Sequence, residues 1–134
     1  MTYEEKISWL SRYREAEKLY QRLSYRLAEA QEATRHITQN LSAAPGGSKD
    51  GQSLARAVER EEEAERRAYA QLAVCDALFA EIDAVLVQLD SAEYCALRKY
   101  YLDCRKWEQV AAAMNFTSRG IFALRRRAIE HLKL

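Results

Sequence analysis

The side chains best suited to chemistry are basic, and they concentrate in the last third of the chain. From Asp90 onward the sequence contains nine Lys or Arg residues and five Asp or Glu residues, a balance of +4, whereas the whole chain carries +1. Guanidinium and ammonium groups bind phosphate oxygens strongly. A basic end on a nearly neutral chain therefore indicates a polyanionic partner.

The cysteines and histidines lack the spacing of a metal site or a disulfide framework. Cys75, Cys95 and Cys104 are odd in number and never form a CxxC pair, which favours free thiols in a cytoplasmic protein. His36 and His131 have no ligand partner three or four residues away, so we interpret both as solvated. We therefore expect neither a metal ion nor a cofactor.

Sequence motifs of catalysis are also missing. There is no Gly-rich phosphate loop, nucleophile elbow or HExxH motif, and the glutamates near residue 62 lack the Glu-x-x-His partner of a di-metal site. No apolar run approaches the roughly 20 residues of a membrane-spanning helix, and the acidic start does not resemble a signal peptide. We expect no enzyme activity, no small-molecule substrate, no membrane partner and a cytoplasmic location.

The composition predicts an all-α protein in which long helices position the basic end. The chain has one proline and four glycines, so residues that break helices are rare. Hydrophobic residues make up 49 % and charged residues 31 %, a mixture that suits helices with one buried stripe and one solvated face. No segment alternates apolar and polar residues for long, as a β-strand would.

Two heptad seams predict a long antiparallel, coiled-coil-like helical hairpin. Apolar residues recur with a four-three spacing in residues 1–41 and again in residues 54–89. Residues 42–53 contain a proline and three glycines and predict a flexible loop. The first seam comprises Trp9, Tyr13, Ala16, Tyr20, Leu23, Leu27, Ala30, Thr34, Ile37 and Leu41. The second comprises Ala68, Leu72, Cys75, Phe79, Ile82, Leu86 and Leu89.

Two features of the hairpin stay open at this stage. Glu61 and Glu65 lie on the projected second seam, so either the hairpin frays toward the loop or the seam shifts onto Ala57 and Ala64. The same heptads could also pair between two chains and form a homodimer. Pairing about the middle of the loop would set the aromatic start of the chain at the base of the C-terminal unit.

Residues 90–134 predict a C-terminal unit of three short helices. Asn115 and Phe116 form the turn between the second and third helices, because Asn tolerates the left-handed conformation. Thr117 or Ser118 caps the third helix. A short helix, a tight turn, a cap and a longer basic helix are the arrangement of a helix-turn-helix.

The outer face of the third helix carries the residues that we predict to contact DNA. The first turn of a recognition helix approaches base edges, while more distal arginines meet phosphates. Gly120 has no side chain to clash with the groove wall, and Phe122 either touches DNA, for example at a thymine methyl, or packs on the hairpin. We interpret Trp107 as a core residue rather than a stacking platform. The predicted DNA-binding residues are Thr117, Ser118, Arg119, Gly120, Phe122, Ala123, Arg125, Arg126, Arg105 and Lys106.

The pattern of this unit resembles region 4 of sigma-70-type factors. In that family a hydroxyl residue caps the recognition helix, a branched residue follows three positions later, and an Arg-Ala-Leu segment precedes another leucine. The matching residues are Ser118, Ile121, Arg127, Ala128, Ile129 and Leu132, with Tyr100, Tyr101 and Leu102 before the turn. Ile129 departs mildly from the usual leucine. The resemblance places Arg127 beside the core, where it would brace Glu93 or Asp90.

The chain as a whole resembles small phage and prophage proteins of the RinA and ArpU type, which are late transcriptional regulators with a long helical N-terminus. Only the last 45 residues carry a specific pattern, and nothing matches sigma region 2. The resemblance implies a transcriptional regulator that binds double-stranded DNA, with RNA polymerase as a further partner. Two alternatives stay open: a phage small terminase subunit, and a protein-interaction module that docks on RNA polymerase without reading DNA.

Overall fold

The protein is all-α, as predicted. The computed structural model describes residues 1–43 and 48–134, and no β-strand occurs among them. The helices are α1 (Tyr3–Leu10), α2 (Arg12–Ala43), α3 (Ser48–Leu86), α4 (Ser91–Leu97), α5 (Trp107–Met114) and α6 (Ser118–His131). A single π-helical turn, Arg98–Leu102, continues α4. None of the described helices has an apolar stretch long enough to cross a membrane.

The predicted first helix is interrupted at Ser11, between α1 and α2. The Ser11 hydroxyl donates to the Ile7 carbonyl oxygen at 2.7 Å, a local bond of the kind that bends helices. At the start of α1, the Thr2 hydroxyl accepts from the Glu5 N–H at 3.2 Å while the Glu5 carboxylate accepts from the Thr2 N–H at 3.1 Å. This capping box gives α1 a helix start of its own.

The prediction of a loop over residues 42–53 was wrong at both ends, because the flanking helices extend into it. Helix α2 continues to Ala43 and α3 already begins at Ser48, so most of the predicted loop is helical. Residues 44–47 lie outside the described residues. Gly51 lies inside α3 with open space around its Cα, and a single glycine costs a helix only about 1 kcal/mol, which a long helix tolerates.

The chain divides into two compact units, of which unit 2 comprises Glu17–Val74. Here the α2 residues on the predicted seam are partly buried, and most of their neighbours are exposed. On α3, Ala57 is buried, Ala64 and Glu61 are partly buried, and Glu65 is exposed. The covered side of α3 toward the loop therefore includes the alanines of the shifted seam, but also Glu61 of the projected one.

Unit 1 comprises Met1–Ala16 and Cys75–Leu134 and has a core of large apolar side chains. This main core consists of Leu10, Ile82, Leu86, Leu97, Tyr101, Leu102, Ala128, Ile129 and Leu132. Trp9 packs against it, so the aromatic start of the chain lies at the base of the C-terminal helices, as predicted. Tyr13 makes an edge-to-face contact with Phe79, with ring centroids 5.4 Å apart, and Arg12 pairs with Glu81 at 3.1 Å. Because the later residue of α2 contacts the earlier residue of α3, the start of α2 runs antiparallel to the end of α3.

Candidate nucleic-acid interface

Helices α5 and α6 are joined by the tight turn that the sequence predicts. Asn115 ends α5 in the left-handed conformation, with φ 59°, and the Phe116 N–H donates to the Ala111 carbonyl oxygen at 2.8 Å. The Thr117 hydroxyl accepts from the Gly120 N–H at 3.0 Å. Of the two candidate caps, Thr117 is therefore the one that begins α6.

A small apolar cluster packs α5 against α6 and α4. Its buried members are Ala96, Val110, Ala111, Ile121 and Leu124. Because two of these residues are alanines, the helix backbones can approach closely. Met114 and Trp107 pack against the edge of this cluster, and the inward face of the helix-turn-helix is therefore the one that the sequence predicts.

The opposite face of α6 is exposed and largely basic. Arg119, Phe122, Ala123 and Arg126 are exposed, and their spacing of three or four residues sets them on one side of the helix. The Arg126 Nε lies 3.7 Å from a carboxylate oxygen of Glu130, but the Arg126 side chain is 76 % exposed. Such an ion pair is worth little in water, so Arg126 can exchange it for another anion.

Gly120 has a role within the fold that the sequence did not reveal. A Cβ at this position would lie 3.1 Å from the Thr117 hydroxyl oxygen and 3.2 Å from a ring carbon of Phe116. Gly120 is also only half exposed. The absence of a side chain therefore leaves room for the cap and for the Phe116 ring, whatever Gly120 contributes toward DNA.

Arg125 lies in a different environment from its neighbour Arg126. Its guanidinium carbon is 5.3 Å from the centre of the Trp107 ring, and its Nε is buried. Burial raises the pKa of the Tyr101 hydroxyl, and the nearby charge of Arg125 opposes part of that rise. Arg125 thus packs along the aromatic side chains at the start of α5, and its predicted contact with DNA stays a prediction.

Four planar side chains form a continuous stack, which we call the aromatic stack: Arg14, Tyr100, Trp107 and Arg125. The Arg14 guanidinium carbon is 4.1 Å from the Tyr100 ring centre, and one of its nitrogens donates to the Tyr100 carbonyl oxygen at 2.5 Å. Tyr100 and Trp107 are stacked, with centroids 4.3 Å apart and planes at 11°. Trp107 is thus half-buried and stacked within the protein.

The sequence analysis did not identify Arg14 as a partner of Tyr100. Arg14 lies on α2 and is 86 residues from its partner Tyr100 along the chain. It does not belong to the heptad seam, and an arginine off the seam predicts only a solvated side chain. No signal in a single sequence joins these two positions.

Arg105 and Lys106 are exposed and lie in the segment that leads into α5. The preceding residue, Cys104, has a positive φ of 56°, which turns the chain before this pair. The Lys106 N–H donates to the Gln109 side-chain oxygen at 3.0 Å. Both basic side chains are therefore next to the N-terminus of α5, outside the apolar cluster.

Glu93, in the first turn of α4, contacts His131, the last residue of α6. The Nδ1 atom of His131 lies 2.9 Å from a carboxylate oxygen of Glu93, whose side chain is 5 % exposed. The His131 side chain is 60 % exposed and thus solvated, as predicted, but the sequence did not reveal its contact with Glu93. The pKa of Asp90 is lowered, chiefly because the Glu93 N–H donates to its carboxylate, and the charge of Arg127 lowers it further. Arg127 itself is exposed rather than beside the core, and its predicted brace against Glu93 or Asp90 stays a prediction.

Comparison with protein-family models, with curated proteins and with solved structures found no match for this chain. In the part of the chain that the structure describes, no group of three or more His, Cys, Asp or Glu side chains could hold a metal ion. The exposed face of α6, together with Arg105 and Lys106, is therefore the candidate site, defined by its own geometry and charge.

Proposed function

We propose that this chain is a DNA-binding transcriptional regulator of the kind carried by phages and prophages, and that α6 enters the major groove. The observation that carries the proposal is the exposed face of α6, on which Arg119 and Arg126 flank Phe122. The opposite face of the same helix is buried, and a left-handed turn at Asn115 precedes it. A recognition helix needs this combination of a packed inner face and a basic outer face.

The positions of the two arginines assign them different tasks. Arg119 lies in the first turn of α6, where a side chain can reach base edges, and arginine pairs well with guanine. Arg126 lies two turns later, where the helix passes the phosphate backbone. Thr117 and Ser118 are at the N-terminus of α6, whose free N–H groups and positive dipole favour a phosphate oxygen.

Fluorescence anisotropy on duplexes selected from a random pool tests the proposal. Arg119→Ala should weaken binding to the selected duplex by about 1 to 3 kcal/mol and relax the preference at one or two base pairs. Arg126→Ala should weaken binding similarly on selected and scrambled duplexes and reduce the slope of log affinity against log salt by about one. Arg60→Ala, which removes an exposed arginine of α3, is the matched control and should leave both quantities unchanged.

Unchanged DNA binding by the α6 variants would overturn the proposal. If both α6 variants bind every duplex as the parent does, this helix does not enter DNA. Binding of the parent to DNA-free RNA polymerase, without any affinity for duplexes, would then favour the protein-interaction module. A ring-shaped oligomer with DNA affinity would favour a small terminase subunit instead.

A further inference from the structure

Phe122 is an aromatic side chain on an otherwise polar and basic surface. It is 49 % exposed, and Arg119 precedes it by three residues while Arg126 follows it by four. These spacings set all three side chains on the same face of α6. On a helix that is proposed to enter the major groove, a large apolar side chain between two exposed arginines suits a partner that offers both negative charge and an apolar group.

Phe122 lies beside the aromatic stack. Its ring centroid lies 6.3 Å from that of Trp107, with the planes at 53°. Trp107 in turn contacts Tyr100, with ring centroids 4.3 Å apart, and the Arg125 guanidinium carbon, 5.3 Å from its ring centre. Trp107 therefore restricts the Phe122 ring on one side, which lowers the conformational entropy that Phe122 loses when a partner covers it.

We infer that Phe122 recognises the C5-methyl group of thymine in the major groove. This inference rests on the proposed function. The thymine methyl is the one apolar group on the base edges of the major groove. Arg119 and Arg126 supply the charge complementarity to the DNA, because they can bind guanine or phosphate on either side of that methyl.

Replacement of thymine by deoxyuridine tests the inference directly, because it removes the methyl and keeps base pairing. Each thymine of the selected duplex is replaced in turn, and affinity is measured for the parent and for Phe122→Ala. The parent should lose about three- to fivefold at one or two positions, the effect expected for one buried methyl. Phe122→Ala should bind the thymine and deoxyuridine duplexes equally at those positions.

Phe116→Ala is the matched control. Phe116 is another exposed phenylalanine, 39 % exposed, but its ring packs beside Gly120 at the turn. This variant should keep the thymine preference of the parent. Circular dichroism establishes that each variant is folded before its affinities are compared.

The possible outcomes separate this inference from the proposed function. If the parent binds its selected duplex specifically but does not distinguish thymine from deoxyuridine anywhere, the inference is wrong and the proposed function stands. A thymine preference that persists in Phe122→Ala also overturns the inference. If the parent binds no duplex at all, the proposed function fails with it, and loss of RNA polymerase binding in Phe122→Ala would identify a protein surface as the occupant.

Discussion

The two units of this chain use helices in different ways. In unit 1 the buried side chains include large ones such as Leu97, Tyr101 and Ile129. In unit 2 the buried residues, among side chains that the structure describes, are Ala57 and Ala68, while the leucines of the seam stay partly exposed. Paired helices cover each other along one stripe only, whereas helices from several directions can enclose a side chain completely. Unit 1 therefore has an enclosed hydrophobic core, whereas the described part of unit 2 buries only small side chains along a stripe.

The polar contacts of the two units also differ in how far apart their partners lie in the chain. Among the described residues of unit 2, the ion pairs join neighbours on one helix, such as Glu63 with Arg66 at 3.1 Å, and exposed pairs of this kind stabilise weakly. Unit 1 has polar contacts between residues far apart in the chain, such as Lys6 with the Ile129 carbonyl oxygen at 3.2 Å. Distant contacts orient helices relative to one another, whereas pairs along one helix do not.

The largest expected effect comes from truncating a leucine in each unit. Leu97 is completely buried, so Leu97→Ala should lower the free energy of unfolding by about 2 to 5 kcal/mol. Leu23→Ala removes the same atoms from a half-buried position of unit 2, and we expect about half that loss. Urea denaturation followed by circular dichroism measures both. Equal losses would show that the seam is as well enclosed as the core.

A second set of variants compares a left-handed backbone position with an ordinary helical one. Asn115 has φ 59°, where an alanine is strained by about 1 to 2 kcal/mol. Asn115→Ala should destabilise unit 1 by that amount, while Asn115→Gly should cost little. Asn40→Ala, at an exposed helical position of α2, should be neutral or slightly stabilising, because alanine favours helix. Thermal unfolding of the three variants gives the comparison.

The smallest expected effect concerns pH and the cap of α4. The pKa of Asp90 is lower in the folded chain than in the unfolded one, chiefly because its carboxylate accepts from the Glu93 N–H. Its contribution to stability is therefore present above about pH 4 and is lost as the pH falls through the folded-state value.

As the pH falls below about 4, the free energy of unfolding of Asp90→Asn should therefore decrease less than that of the parent. Asparagine also caps helices but carries no charge. Asp76→Asn removes an exposed aspartate within α3 and serves as the control. Urea denaturation over a pH series is the measurement, and parallel pH profiles for the parent and Asp90→Asn would contradict this role of the cap.

Local patterns in the sequence were sufficient for the helices and for the turn of the candidate site. The four-three seams predicted which side of each long helix is covered, and Asn115, with a hydroxyl residue two positions later, predicted the turn before α6. These features depend on neighbours within a few residues, since periodicity, caps and left-handed positions are local properties. The same reasoning placed the helix ends near residues 42–53 wrongly, because a glycine such as Gly51 is tolerated inside a long helix.

Local sequence patterns therefore predict the all-α class, the inner faces of α5 and α6, and the basic outer face of α6. The packing of the helices is needed to explain why Arg125 packs on Trp107 while Arg126 stays exposed, although the two are adjacent in the chain. It also explains why Arg14 stacks on Tyr100 and why His131 meets Glu93. Each of these contacts joins side chains from separate helices, and its geometry depends on how the helices pack rather than on either local sequence.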